Sequence, residues 1–278
     1  MGRLISMKNR EDYIPIPAKV VALRDETLDV LTLQIKPDEK VTFRPGQFFL
    51  LSVFNAGESA FAFSNDSGDI ECSVKCCGLN TQAIHRLAIG DFVGVRGPYG
   101  NSFLDFIKGK KDIYLVAGGI GTAPIRSLLQ HILANRNKFG KVTLLMGART
   151  PADLPYMDEL MALRKNKKAK VDVILTVDTQ PEEGWKENVG FVPVILDKIK
   201  PKTKNSLVFV CGPPIMIKFC ADTLSKKGFK GDQIISTLEN RMQCGIGKCG
   251  RCNIGPVYVC KCGPVFTYDD IKKMPKDM

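Results

Sequence analysis

The sequence predicts a β-barrel plus α/β architecture: an antiparallel barrel, then a parallel-sheet domain, then a small cysteine-bearing module. Three observations carry that prediction. Short strand-like segments separated by turns fill residues 17–107. Strand, glycine-containing loop and helix alternate from Lys111 onward, and five of the ten cysteines fall in the last 35 of 278 residues.

In the first part, strands are expected at 18–23, 29–35, 47–54, 70–75 and 92–96, with turns at Pro37-Asp38, Arg44-Pro45-Gly46, Ser67-Gly68-Asp69 and Ile89-Gly90-Asp91. That density of short strands predicts a closed antiparallel barrel, interrupted by one helical insertion at 81–87, where Ile84 and Leu87 share a face. In the second part, apolar runs of strand length at 113–117, 142–146, 171–177, 207–211 and 234–238 are separated by helix-like segments near 123–136, 153–165, 190–199 and 214–227. Such alternation builds βαβ units with right-handed crossovers and a parallel sheet covered on both faces, the open type that binds nucleotides. Stretch 241–263 is rich in Gly and Cys, has neither period, and is too small to build a core without a staple. The expected divisions are 1–108, 109–238 and 239–278.

Composition narrows the function classes. Hydrophobic residues at 44%, charged residues at 25% and a mean hydropathy of −0.04 are globular values and exclude disordered, collagen-like and coiled-coil chains. A net charge of +11 does not indicate nucleic acid, because Lys and Arg are dispersed among acidic residues; the densest run, 164–170, lacks aromatic interleaving and reads as a solvated helix end. The longest strongly apolar stretch, 48–54, is far too short to span a bilayer. Residues 1–17 show no secretory h-region, so a cytoplasmic protein is expected. In that compartment thiols stay reduced, so disulfides are not expected. Cys72, Cys76, Cys77, Cys211 and Cys220 lie in apolar or strand-like stretches and read as buried small hydrophobes.

The tail carries chemistry. Cys244, Cys249, Cys252 and Cys260 form Cys-x4-Cys-x2-Cys-x7-Cys, and the first three match the plant-type spacing for a 2Fe-2S centre. One tight loop must deliver three thiolates while its N–H groups face the sulfides, which Gly245, Gly247 and Gly250 permit. Lys248 and Arg251 offset the cluster's negative charge. A structural zinc site is the competing reading, although zinc usually takes two short Cys-x2-Cys pairs. Cys262, two residues past Cys260, leaves the fourth ligand open at this point.

Gly118-Gly119-Ile120-Gly121-Thr122-Ala123-Pro124 follows a strand and opens a helix, which offers bare N–H groups to a pyrophosphate. It departs from G-x-G-x-x-G, so it reads as a phosphate loop only in that context. No acidic residue closes the next strand as a ribose ligand would; it ends Gly147-Ala148-Arg149, where Arg149 can meet a 2′-phosphate or sit in an exposed loop. Cys211-Gly212-Pro213-Pro214 ends the fourth strand at the ligand-binding edge of such sheets, or is simply a turn. Glu239 ends the last strand, facing a redox centre or capping a turn. His85 and His131 have no partner spacing that suggests a nucleophilic triad.

These pieces, in this order, resemble the ferredoxin–NADP reductase superfamily. Within it they resemble the iron–sulfur flavoprotein group, which holds sulfhydrogenase gamma, anaerobic sulfite reductase B and dihydroorotate dehydrogenase electron-transfer subunits. The resemblance covers nearly the whole chain. It is most specific in 238–250 and 259–266, with support from Arg44-Pro45-Gly46-Gln47, Gly97-Pro98-Tyr99-Gly100, the loop from Gly118 to Pro124 and Cys211-Gly212-Pro213. It implies an NAD(P)H-dependent oxidoreductase subunit with FAD in the barrel, NAD(P)H on the α/β domain and a 2Fe-2S cluster in the tail. Its electrons would pass to or from a partner of hydrogenase, sulfite reductase or heterodisulfide reductase type. It places flavin contacts at Phe61, Ala62, Phe63 and Ser64, where the family's Arg-x-Tyr-Ser motif is replaced, with Phe61 over the ring, and a second phosphate contact at Gly78 and Thr81. With it, the expected nucleotide contacts are Gly118, Gly119, Gly121, Thr122, Gly212 and Pro213, beside Arg149 as read above. Catalytic positions fall at Cys211 and Glu239, and Cys260 is favoured over Cys262 as fourth ligand. The alternative is a non-catalytic nucleotide-binding regulator with structural zinc, which would be colourless.

Overall fold

The computed structural model describes residues 13–180 and 184–275. The expectation of no secretory segment at the N-terminus rests mostly on residues outside that range. Six strands make the first sheet: β1 (Ile16–Thr27), β2 (Val30–Pro37), β3 (Phe48–Val53), β4 (Gly57–Ala62), β5 (Ile70–Lys75) and β6 (Phe92–Tyr99), with helix α1 (Leu79–Ile84) between the last two. Their order is β4-β3-β6-β1-β2-β5, every pair antiparallel. The sheet is barrel-like, yet no hydrogen-bond ladder joins its edge strands β4 and β5, so the closed barrel expected from sequence is corrected to an open one. Strand β4 itself was not expected: GESAFA lacks the apolar alternation that marks a half-buried strand.

The second sheet has the order β10-β9-β8-β7-β11-β12-β15. Its strands are β7 (Asp112–Gly118), β8 (Val142–Ala148), β9 (Val171–Val177), β10 (Asn188–Val189), β11 (Ser206–Cys211) and β12 (Ile234–Thr237), all parallel, with β15 (Val265–Thr267) antiparallel on the β12 edge. Helices α2 (Thr122–Ala134), α3 (Met157–Lys165), α4 (Val192–Lys198) and α5 (Pro214–Lys226) supply the crossovers. The strand order reverses at β7 and β11, so the carboxyl ends of these neighbours form the crevice where open α/β sheets take ligands.

The tail is less separate than its sequence suggests. It contains a hairpin of β13 (Asn253–Ile254) and β14 (Val257–Tyr258), short helices α6 (Val259–Cys262) and α7 (Tyr268–Lys273), and β15, which completes the α/β sheet. Its apolar residues Ile254, Val259 and Phe266 pack on Phe48, Leu50 and Tyr99 of the first sheet. Strand β3 is therefore buried on both faces, with Phe49 and Leu51 in the barrel core and Phe48 and Leu50 under the tail. That is the physical reason for the continuous apolar run at its start. Among the described residues no helix is long and apolar enough to cross a membrane.

Candidate functional site

A cavity of about 360 Å³ opens where the three parts meet. Its walls are β4 (Glu58 to Ala62), Pro124 in the first turn of α2, and the stretch from Thr237 to Gln243 that leads out of β12 into the cysteine loop. Three buried polar atoms lie along or beside these elements without a protein partner: Ser64 Oγ, Asn80 Oδ1 and Arg96 Nη1. Buried polar groups are nearly always satisfied, so orphans here fit a site that receives a polar-edged cofactor such as a flavin.

The expected flavin residues are divided by the fold. Phe61 and Ala62 face the cavity. Phe63 is fully buried in the barrel core, stacked on Phe43 with ring centroids 4.0 Å apart and tilted against Phe49 at 4.8 Å. Ser64 is also fully buried, and its carbonyl accepts from Arg126 Nη1 at 2.9 Å. At the start of α1, the Thr81 hydroxyl accepts from the N–H groups of Cys77 and Gly78 at 2.9 Å each and donates to the Gly78 carbonyl. The Thr81 hydroxyl thus engages both amides at the start of α1, where the resemblance implied a phosphate contact. Of the cysteines expected as buried hydrophobes, Cys72, Cys211 and Cys220 are buried, but Cys76 is half-buried and Cys77 exposed, because both lie past the end of β5.

The nucleotide loop sits at the β7/β11 crevice. Gly118 ends β7, Gly119 and Gly121 form a 3-10 turn, and α2 starts at Thr122. A Cβ on Gly121 would lie 2.5 Å from the Cys211 carbonyl oxygen, so only glycine lets this turn close onto the Cys211-Gly212-Pro213 corner. Thr122 is buried and its hydroxyl donates to the Gly119 carbonyl at 2.8 Å, which shapes the loop from within. Arg149 projects from the end of β8, 71% exposed, with Asp153 3.7 Å away. Cys211 is buried, its Sγ 2.9 Å from Thr237 Oγ1, and burial pushes its thiol up to about 12 despite that bond. Glu239 opens to the cavity, and the surrounding protein, by withdrawing water, raises its carboxyl above the ordinary value of 4.5.

In the tail, Gly245, Gly247 and Gly250 all take positive φ, as the wrapping requires. A Cβ on Gly245 would also strike the Tyr99 ring at 2.5 Å. Cys244 Sγ accepts from the N–H groups of Lys248, Cys249 and Ile246 at 3.3, 3.4 and 3.5 Å. Burial opposes the thiolate, but these bonds and one from the Cys249 side chain outweigh it and bring the Cys244 thiol down to about 7. Cys252 Sγ lies 3.3 Å from Cys260 Sγ, which also accepts from Gly247 N–H at 3.1 Å. The four cysteines thus come together as two pairs, 244/249 and 252/260, while Cys262 is exposed. Among the described residues no three ligand side chains converge as on a single metal ion. Four cysteines with backbone N–H groups turned to their sulfurs fit a two-iron cluster held by four thiolates.

Sequence reasoning missed two buried cations. Arg96 on β6 forks onto Glu58 on β4, with Nε 2.9 Å from Oε1. Arg126 on α2 joins Glu159 at 2.7 Å and Glu71 at 3.3 Å across the two sheets. An arginine beside Val93 and Val95 in an apolar run was the available signal for the first.

Comparisons with known proteins find three family segments along the chain. Family profiles match an oxidoreductase FAD-binding domain at 19–103, an oxidoreductase NAD-binding domain at 115–222 and the iron–sulfur cluster binding domain of dihydroorotate dehydrogenase B at 239–272. The chain is 40% identical over 246 residues to the sulfhydrogenase 1 gamma subunit of Pyrococcus furiosus, covering 85% of this chain and 83% of that one. It is 32% identical over 237 residues to a probable dihydroorotate dehydrogenase B (NAD(+)) electron transfer subunit of Methanopyrus kandleri, covering 85% and 83%. A solved structure of an NADH-dependent reduced ferredoxin-NADP oxidoreductase superposes with a TM-score of 0.74 at 25% identity, over 93% of this chain and 90% of that one.

Proposed function

We propose, for a chain that belongs to the iron–sulfur flavoprotein branch of the ferredoxin reductase family, that it carries electrons between NAD(P)H and a partner redox subunit of hydrogenase or dihydroorotate dehydrogenase type. The observation that carries this reading is the single cavity walled at once by the flavin strand, the first turn of the nucleotide helix and the lead into the cysteine loop. FAD, when bound, couples the two-electron chemistry of a nicotinamide to the one-electron chemistry of a cluster. Matches to FAD, NAD and iron–sulfur families leave the zinc-holding regulator without support.

The chain's own residues divide the task, with 1–108 serving the flavin, 109–238 the nucleotide and 239–278 the cluster. The turn at Gly118, Gly119 and Gly121, shaped by Thr122, receives the pyrophosphate, and Gly212 and Pro213 close the crevice beside the nicotinamide. Phe61 and Ala62 line the flavin face of the cavity, and Gly78 and Thr81, outside its walls at the start of α1, are the second phosphate contact. Glu239 opens its carboxyl, raised above the ordinary value by burial, to the cavity, and the Cys211 thiol backs that wall through Thr237. Cys244, Cys249, Cys252 and Cys260 hold the cluster. Cys249 is exposed, as are Arg241, Lys248, Arg251 and Lys261 of the same stretch, 240–263, which has no Asp or Glu; this basic segment docks an acidic partner in the cytoplasm.

The deciding experiment is an anaerobic visible spectrum with iron, zinc and flavin quantified on one sample, then titrated with NADH and NADPH. Flavin and iron together, bleached by a nicotinamide, are expected. Zinc without flavin overturns the reading. A Cys249→Ser protein should keep nicotinamide-driven flavin bleaching and lose reduction of the partner.

A further inference from the structure

The outer face of β3 and β6 on which the cysteine tail rests is an apolar seat of Phe48, Leu50 and Tyr99. One ion pair interrupts it. Arg96 is 8% exposed, and its Nε and Nη2 both donate to the Glu58 carboxylate, which also accepts from Ser52 Oγ at 2.8 Å. Nη2 reaches further to the Gln243 carbonyl at 3.4 Å, and Nη1 has no partner. Gln243 immediately precedes Cys244, and both Gln243 and Glu58 line the cavity.

A buried ion pair with an orphaned donor is a poor way to gain stability, since a well-packed apolar pair of the same volume does as well or better. Its position gives it another use. The guanidinium bonds both Glu58 in the cavity wall and the carbonyl of Gln243, the residue before the first cysteine of the loop. Its hydrogen bonds to the Glu58 carboxylate, together with that carboxylate's charge, hold Arg96 above its ordinary value against burial. The Glu58 carboxylate feels Arg96 as its charged neighbour. Arg96 reaches the residue that leads into the cysteine loop, and Glu58 lines the cavity.

We propose that Arg96 is a positioning residue that ties the cysteine loop to the flavin strand and raises the reduction potential of the cluster, and that Glu58 moderates it. This rests on the function proposed above. A reduced cluster carries one more negative charge than an oxidised one, so a fixed cation in a water-poor setting favours reduction and a fixed anion opposes it. The two partners of one pair therefore act on the potential with opposite sign, which a purely structural tie does not do.

The test is a redox titration of the cluster in the full-length protein, followed by electron paramagnetic resonance, for the native chain and for Glu58→Gln, Arg96→Lys and Arg96→Met. Glu58→Gln should move the midpoint upward, Arg96→Met downward, and Arg96→Lys should stay nearest the native value. Shifts of the same sign, or none, overturn the inference while leaving the electron-transfer reading intact. If Arg96→Met does not fold, Glu58→Gln decides alone, and an unchanged or lowered midpoint overturns the proposal. A purified native protein that binds neither iron nor flavin overturns both readings.

Discussion

Arg126 on α2 donates from Nη1 to the carbonyl of Ser64 at 2.9 Å, so the helix that starts at the nucleotide loop is fastened to the residue two positions beyond the flavin strand. The same guanidinium meets Glu159 of α3 and Glu71 of β5 and lies 4.9 Å from the Tyr156 ring centroid. The Tyr156 hydroxyl in turn bonds Ser73 of β5, and its N–H donates to Glu26 of β1 at 2.9 Å. A flavin and a nicotinamide must meet at van der Waals distance for hydride transfer, and this network fixes the two supports against each other.

Removing one partner of a buried ionic network leaves the others uncompensated. Arg126→Met should therefore cost about 3–5 kcal/mol, read as a lowered urea midpoint. It should also slow nicotinamide-driven flavin bleaching in the protein that remains folded.

Gly121→Ala puts a methyl group against the Cys211 carbonyl, where backbone meets backbone and neither side yields cheaply. The nucleotide KM should rise about tenfold or more, equivalent to ~1.4 kcal/mol. Flavin and iron content should remain native.

Arg149 stands free enough at the end of β8 to reach a ligand phosphate, its contact with Asp153 being a loose 3.7 Å. Arg149→Ala should raise the KM for NADPH several-fold while leaving that for NADH within twofold. Equal effects on both cofactors would place Arg149 away from the 2′-position.

Burial favours the protonated form of Glu58, but hydrogen bonds from Arg96 and Ser52 and the charge of Arg96 outweigh it and hold the carboxyl below its ordinary value of 4.5. The unfolded chain then binds more protons than the folded one in the acid range. The pair's stabilisation is complete above the unfolded value and fades as pH falls through the folded one. Urea midpoints measured between about pH 6 and pH 3 should fall more steeply for the native chain than for Glu58→Gln.

Lys248, beside the exposed Cys249 in sequence, and Lys261, whose stem lies by Gly247 of the same loop, are both exposed. Charge reversal at both should raise the KM for an acidic redox partner and flatten its dependence on salt, since the steering field is screened over about 8–10 Å at 0.1–0.15 M ionic strength. Nicotinamide-driven flavin bleaching should be unaffected.

What the sequence determined by itself is what short-range pattern encodes. Strand β9 matches its expected span of 171–177, because a run buried at its end and flanked by turn residues can only lie in a covered sheet. The Gly118-to-Pro124 loop and the Cys-x4-Cys-x2-Cys spacing were likewise legible, since turn geometry and ligand reach are set within a few residues. Tertiary structure decided the rest. It left the first sheet unclosed between β4 and β5, and turned Phe63 into the core against Phe43, twenty positions away in sequence. It also set Arg96 against Glu58 and Gln243, at separations of 38 and 147 residues. Side chains so far apart in sequence carry no shared period or propensity. Their meeting depends on strand order and on the tail's use of the barrel's outer face as its core, both settled only when the whole chain packs.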